Sequence, residues 1–408
     1  MEIKIPYGED QITLNLPDQN LLGVIKPAAL STSKDIDLQK NNLIKGLKEF
    51  LNKARTVLVI VNDYTRPTPN SEILKLIEGL LKEHDVKYIV ACGSHRAPNE
   101  REFRQIFGDF YETHKAKIIV HDASDNTSLF FLGKTRFGTS VWLNKAILWA
   151  DKIITINSVE PHYFAGFTGG RKSFMPGIAG LETITHNHKL VINPKSMTLN
   201  LEGNPVHEDM TEITKMIPKQ VFSIQLALDA NHKILSIKFG DIFKSFYDSI
   251  EDAKRIFCVP IKEKTDIVVT VVQHPYDINF YQSQKAMENA KLALKDKGII
   301  IAVSKCSQGV GEDNFVKFLA SCSTPRQALK RVENEFKIGY QKVVRLSQLL
   351  NSSEVWTVMD IDDKIIQSVF MTPFQDVNLA AQKAIEKKGN DAKVLILLDG
   401  SLTVPLIN

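Results

Sequence analysis

The stretch PHYFAGFTGGRKSFMPG, residues 161–177, brings together four glycines, one histidine and the adjacent pair Arg171 and Lys172. An apolar run, KIITIN, leads into it. Glycine, histidine and lysine at the end of a strand suit three chemistries: a phosphate cradle, a metal site, or a lysine that carries a covalent group. A nucleoside-triphosphate loop needs a glycine directly before its lysine, so that backbone can approach the phosphate. Lys172 and Ser173 fit that pattern, but Arg171 stands where the glycine belongs. The residues alone leave the metal and covalent readings open.

Ligands of open α/β sheets bind beyond the carboxyl ends of the strands. The strand-like run TVLVIVND delivers Asp63 and Arg66 at that end, and KYIVACGSH delivers His95 and Arg96. KIIVHDASD delivers His121 and Asp122, and DKIITINSVEPH delivers Glu160 and His162, followed by the loop with Lys172. The run interiors are almost purely apolar, so ionisable groups at all of these ends point to a site. Taken singly, each has a plainer role: Arg66 can pin its turn, and His121 can bond Asp122 or Asp125. His84 and His114 read as surface helix residues, and His207, His232 and His274 have no matching cluster.

His186 and His188 are two apart in ETITHNHKLVIN, so on a helix they face different directions and cannot chelate one metal together. Either can serve as a single ligand. In QGVGEDNF, Asn314 replaces the third glycine of a dinucleotide fingerprint, which leaves a tight turn at a strand end. The next candidate face is the helix YQSQKAMENA, where Gln282 and Lys285 are three apart and Tyr281 precedes them.

The elements that must position these groups alternate. EIKIPYGEDQITLNLP reads as a hairpin around a Tyr-Gly-Glu-Asp turn. Strands and amphipathic helices then alternate from residue 56, which predicts a mostly parallel sheet with helices on its faces. A second series starts near 264: a strand TDIVVTVVQHP, a helix YQSQKAMENAKLALKDKG ending at its glycine, then GIIIAVSKCSQGVG, SEVWTVMD and KVLILLDG. The chain is therefore expected to be α/β with two domains, 1–262 and 263–399, residues 400–408 crossing back to the first and the active site in the interdomain crevice. Lysine-rich KLALKDKG reads as a solvated helix face.

Composition narrows the classes. The chain has 408 residues, 43% hydrophobic and 24% charged, the mix of a globular protein of two or three domains. The net charge of +4 is too small and too dispersed for nucleic acid. Four cysteines without a C-x-x-C pair suggest neither a zinc ribbon nor a disulfide framework. The charged N-terminus does not look like a signal peptide, and no apolar run reaches the ~18 residues of a membrane span. A cytoplasmic protein with no membrane partner is expected.

Together, DYTRP, GSHR, HDASD, VEPHYFAGFTGGRKSFMPG, the downstream HNH and NFYQSQK resemble the nickel-pincer lactate racemases and their homologues. The resemblance implies an isomerase, a racemase or epimerase of a small 2-hydroxy acid, working by hydride transfer through a 2-oxo acid. It implies a pyridinium bis-thiocarboxylic acid mononucleotide bound covalently to Lys172, with nickel held by His188, and Asp63, Gly169 and Gly170 against the cofactor. It implies His95 and His162 as acid and base, Arg66 on the substrate carboxylate, and Tyr281, Gln282 and Lys285 as further substrate contacts. Such a protein depends on cofactor-building enzymes and is expected in the apo form without them. Lactate, malate, longer hydroxy acids and sugar acids all share the recognised head group, and Trp356 has no spacing argument as a pocket aromatic. The competing readings are a phosphate-ester or nucleotide enzyme that uses the glycine loop, and a non-catalytic cofactor carrier.

Overall fold

The computed structural model describes residues 1–28, 35–229 and 231–407. The chain divides into two compact units, Met1–Ala28 with Phe257–Asn408, and Ala29–Ile256. Among the described residues no helix is long and apolar enough to cross a membrane.

The Ala29–Ile256 unit is built on a six-stranded sheet. Its order is Ile234–Asp241, Gln220–Leu228, Lys152–Ser158, Thr56–Asn62, Asp85–Ala91 and Ile118–Val120. All neighbours are parallel except the antiparallel pair formed by Gln220–Leu228 and the edge strand Ile234–Asp241. Unbroken apolar runs suit strands covered on both faces; Val57 to Val61 are fully buried. One core joins Val57, Val59 and Val61 to Leu43 and Leu47 of helix Ile36–Leu51 and to Ile73, Leu74 and Ile77 of helix Asn70–Leu81. The helix Glu100–Phe107 starts on a capping box, with Asn99 and Glu102 closing each other's backbone amides.

Strand order sets the site. From Thr56–Asn62 the chain proceeds to Asp85–Ala91 and Ile118–Val120 on one side, while Lys152–Ser158 lies on the other side and leads to Gln220–Leu228. Connections therefore depart in opposite directions from two adjacent strands, Thr56–Asn62 and Lys152–Ser158, and such a switch point opens a crevice at their carboxyl ends.

The other unit holds an all-parallel sheet: Thr372–Pro373, Glu354–Met359, Leu294–Ser304, Thr265–Val271, Val394–Leu397 and Leu21–Ile25. The expected hairpin is present as Glu2–Tyr7 and Asp10–Asn15. Its Ile5 and Leu14 enter the core of Val269, Ile301 and Val394, so the first 28 residues belong with the second series rather than with 1–262. A local alternating pattern specifies a hairpin but not the sheet it packs on. The last strand, Val404–Ile407, pairs with Cys258–Ile261 inside this same unit and does not return to the other.

One helix end also differs from expectation. Helix Phe280–Ala290 stops eight residues before Gly298, and LKDKG already forms the start of strand Leu294–Ser304, with Leu294 buried. KLALKDKG is thus a turn and a strand, not a helix face. Gly309 and Gly311 of QGVG both take positive φ, as a tight turn requires.

Candidate active site

A small cavity sits at the switch point, with room for about 50 Å³ of water-sized space. It is lined by Asp63 and Arg66 after the first strand, Cys92 and His95 after the second, and Gly169 and Lys172 from the glycine loop. A larger open groove, about 560 Å³, lies on the other unit beside Trp356, Phe374 and Leu379. It lacks convergent reactive groups; Trp356 stacks on Phe374 at 4.9 Å and its indole donates to Glu354. The chemistry therefore places the site at the smaller cavity.

The loops after Thr56–Asn62 and Asp85–Ala91 form one wall. His95 Nδ1 lies 2.7 Å from Asp63 Oδ2, while Thr65 Oγ1 donates to Asp63 Oδ1 at 2.7 Å. Asp63 is buried and His95 is 46% exposed. An ionised carboxylate only accepts, so the neutral imidazole carries its proton on Nδ1 and keeps a lone pair on Nε2. Arg66 closes the Asp63 turn through its backbone and is half-buried at the cavity. Arg96 turns away, forked onto Glu102 at 2.6 and 2.7 Å and lying over the Tyr64 ring. Burial pushes the Cys92 thiol up to about 12, which removes it as a nucleophile at neutral pH.

The third strand end is structural. His121 is buried, its Nε2 is 2.9 Å from the Ala179 carbonyl and its Nδ1 is 3.3 Å from Asn144. Burial lowers its pKa. Neither Asp122 nor Asp125 is its partner.

The glycine loop is the opposite wall, closed on itself by Arg171. That guanidinium is 1% exposed and donates to the carbonyls of Ala165 at 2.8 Å and Phe167 at 3.0 Å, with its face on Phe246 at 4.3 Å. The residue that breaks the phosphate-loop pattern is thus the loop's internal clamp. Gly169 has φ +87°, and a Cβ there would meet Val159 at 2.6 Å and Gln225 at 2.7 Å. Gly170 packs on Phe246, where a Cβ would lie at 3.1 Å, and its amide donates to Gln225. Both glycines answer to the loop's own packing, and only Gly169 lines the cavity.

Lys172 lines the cavity from this loop. Desolvation lowers its pKa well below the usual lysine range, and the positive charges of Arg66 and Arg171 lower it further. Its amine is held toward the neutral, nucleophilic form. Next to it, the Phe164 ring forms a hub. His162 packs edge-on at 4.6 Å, His188 at 5.2 Å, and Lys172 Nζ lies 5.8 Å from the ring centre.

His162 Nδ1 accepts the backbone amides of Ala165 at 3.2 Å and Phe164 at 3.5 Å. Its neutral ring therefore carries the proton on Nε2, the reverse of His95. His188 lies in helix Leu181–Lys189, buried, with Nδ1 3.3 Å from Asn187 Oδ1. Burial, then the charges of Lys172 and His95, lower its pKa to about 3. It is a neutral imidazole whose Nε2 lone pair is left for a ligand. His186 faces elsewhere, bonded to Thr139 Oγ1 at 2.8 Å. Among the described residues no three His, Cys, Asp or Glu side chains converge on a metal.

Tyr281, Gln282 and Lys285 begin helix Phe280–Ala290 in the other unit, where Asn279 caps the Gln282 amide. Lys342 Nζ lies 4.7 Å over the Tyr281 ring, and Lys285 Nζ lies 4.6 Å over that of Tyr276. Among the cavity residues that strand-end ionisable groups do not reveal are Asn157 and Ser158. They end the same apolar strand that leads to His162, and a rule counting only ionisable groups at strand ends passed over them.

The chain matches the lactate racemase N-terminal domain over residues 7–199 and the lactate racemase C-terminal domain over 261–404. It is 29% identical to a lactate racemase of Thermoanaerobacterium thermosaccharolyticum, over 98% of this chain and 97% of that protein. It is also 29% identical to a lactate racemase of Lactiplantibacillus plantarum, over 98% of each. The structure of the lactate racemase apoprotein from T. thermosaccharolyticum superposes with TM-score 0.89 at 28% identity, covering 100% of both chains. A protein of Thermotoga maritima shares the fold at TM-score 0.71 and 17% identity, covering 91% of this chain and 98% of that one. The chain belongs to the lactate racemase family.

Proposed function

We propose that this protein is an isomerase that racemises or epimerises a 2-hydroxy acid of the lactate type. One observation carries the reading. Two histidines with opposite proton placement, His95 at the cavity with Arg66 and His162 on the Phe164 ring beside Lys172, accompany a lysine amine held toward its neutral form. Inverting a carbinol centre in both directions needs an acid and a base that exchange roles, and imidazole does so near neutrality. His95 Nε2 accepts the hydroxyl proton of one enantiomer, while Asp63 holds the ring and stabilises the imidazolium that forms. His162, protonated on Nε2, donates in the opposite sense. The planar fork of Arg66 binds the carboxylate and keeps the substrate still while the carbon inverts. Tyr281, Gln282 and Lys285 are proposed as further substrate contacts on the family resemblance alone.

The residues fit the cofactor that the family implies. A lysine amine held toward its neutral form suits a covalent anchor at Lys172, and an unprotonated, buried His188 suits one bond to nickel. The lack of a three-residue protein cluster among the described side chains suits a metal whose remaining donors come from the cofactor. When bound, a nickel-pincer pyridinium nucleotide supplies a reversible hydride acceptor.

The test uses protein made together with the cofactor-building enzymes and a single enantiomer of lactate deuterated at C2. Racemisation with the deuterium retained is expected. Exchange of that deuterium with water would mean proton abstraction at carbon and would overturn the redox reading; no racemisation of any 2-hydroxy acid would overturn the function.

A further inference from the structure

Asn157 and Ser158 line the cavity at the end of strand Lys152–Ser158, and their exposures are 1% and 2%. Their hydrogen bonds are unbalanced in the same sense. Asn157 Oδ1 accepts from Ser173 Oγ at 2.8 Å, which orients the amide and leaves Nδ2 buried with no partner. Asn62 Nδ2 donates to Thr68 Oγ1 at 2.7 Å, and Thr68 Oγ1 donates onward to Ser158 Oγ at 2.9 Å. Ser158 Oγ accepts that bond, which leaves its own O–H free to donate into the cavity it lines. Consecutive residues inside a strand face opposite ways, and both still pair with Gln220–Leu228, yet both line the cavity at the carboxyl end of the strand. Buried donors without acceptors are costly, and native structures keep them where a ligand or water completes the bond.

We propose that the Asn157 amide and the Ser158 hydroxyl form a donor pair that binds an oxyanion, a carboxylate or a phosphate, in the cavity beside Arg66 and Lys172. The pair rests on the reading of this cavity as the ligand site. Two neutral, pre-oriented donors complement two basic side chains: the cations attract the anion, and the fixed donors select its orientation. Ser173, which holds the Asn157 amide in place, directly follows Lys172 in the chain.

The test is calorimetric titration of the purified full-length chain, made without the cofactor-building enzymes, with lactate and separately with inorganic phosphate. Wild type is expected to bind at least one, and the preferred probe identifies the source of the oxyanion. Ser158→Ala and Asn157→Asp are each expected to weaken that probe about tenfold or more, the range for a hydrogen bond to a charged group. The Asn157 side-chain amide should also shift in a ¹H–¹⁵N spectrum of wild type on titration, a readout that does not depend on the folding of either variant. If both variants bind as wild type while Arg66→Lys binds more weakly, the donor pair is wrong and the cavity reading stands. If the variants weaken binding and Arg66→Lys does not, the pair stands and Arg66 loses its role. Wild type that binds neither probe, or an unmoved Asn157 amide in the bound state, overturns the proposal.

Discussion

The two walls of the cavity handle charge in opposite ways. On the wall after Thr56–Asn62 and Asp85–Ala91, the buried Asp63 carboxyl group meets a His95 that is 46% exposed. Protons can enter and leave there. On the Pro161–Gly177 wall Arg171 is 1% exposed and has no ion-pair partner among the described residues, and Lys172 beside it is driven toward neutrality. The carboxyl ends of one sheet thus place a half-exposed, carboxylate-bonded imidazole near a lysine amine that desolvation holds toward neutrality. The difference teaches that similar side chains, His and Arg or Lys on each wall, take their chemistry from burial and partner rather than from residue type.

The largest expected effect lies on the closed wall. Lys172→Ala should abolish covalent attachment of the cofactor while circular dichroism stays native, because the loop is clamped by Arg171 and not by Lys172. Intact mass and peptide mapping check this. An adduct that persists, or maps to another residue, removes Lys172 from its role.

The next effect tests whether the two walls are equivalent partners. His95→Asn and His162→Gln should each lower racemisation by about 10²- to 10⁴-fold, the usual worth of a positioned acid or base. Single-turnover formation of the 2-oxo acid from each pure enantiomer separates them: each variant should spare a different enantiomer. Loss of the same enantiomer in both variants contradicts a histidine on each side of the substrate.

Asp63→Asn sharpens the open wall alone. An asparagine amide can donate to His95 Nδ1 and so favour the wrong tautomer, without disturbing His162. A loss on the order of 10²-fold or more is expected from the tautomer argument, with the fold intact. An unchanged rate means that the 2.7 Å contact is not used.

Arg66→Lys keeps the charge but not the fork. We expect KM for any 2-hydroxy acid to rise by about tenfold, with a smaller change in kcat. Equal losses in kcat and kcat/KM would instead place Arg66 on the transition state alone.

How much of this was legible beforehand follows from which forces are local. The parallel strands of both units were readable because their apolar runs are long and bounded. The partnering of Leu21–Ile25 with Val394–Leu397 was not, since nothing in either pentad or tetrad names a strand some 370 residues away. Asp63, Arg66, His95 and Lys172 surfaced from position at strand ends, and the structure gathers these four around one cavity. Arg171 was visible only as an interruption of a phosphate-loop pattern; its function as a clamp depends on three carbonyls that the loop itself curls into place. Asn157 and Ser158 needed a hydrogen-bond count that sequence does not provide. His207 was set aside as lacking a cluster, and that too was a limit of sequence, because its neighbours come from a distant helix.

His207 gives the smallest prediction, and it belongs to the closed wall. It is buried behind the loop, stacked toward Phe246 at 6.1 Å on the ring that also carries Arg171, with Nε2 3.3 Å from the Tyr247 hydroxyl and Nδ1 unpartnered. Desolvation, then the positive charge of Arg171, lowers its pKa to about 2. The unfolded chain takes up this proton near pH 6.5, while the folded chain refuses it until about pH 2. Between those limits the unfolded state binds more protons, so stability rises with pH and is lost on acidification below about 6.5. One such group contributes a slope of up to about 1.4 kcal/mol per pH unit. His188, lowered to about 3, acts in the same direction over pH 6.5 to 3. His207→Gln should therefore leave stability near pH 7.5 within about 1 kcal/mol of wild type, since a neutral side chain replaces a neutral one. Below pH 6 it should flatten the acid limb by one proton's worth, leaving the His188 contribution in place. Urea unfolding midpoints between pH 5 and 7.5 measure this directly. Parallel curves for variant and wild type would mean that His207 is protonated in the folded chain, and that the closed wall is wetter than its packing implies.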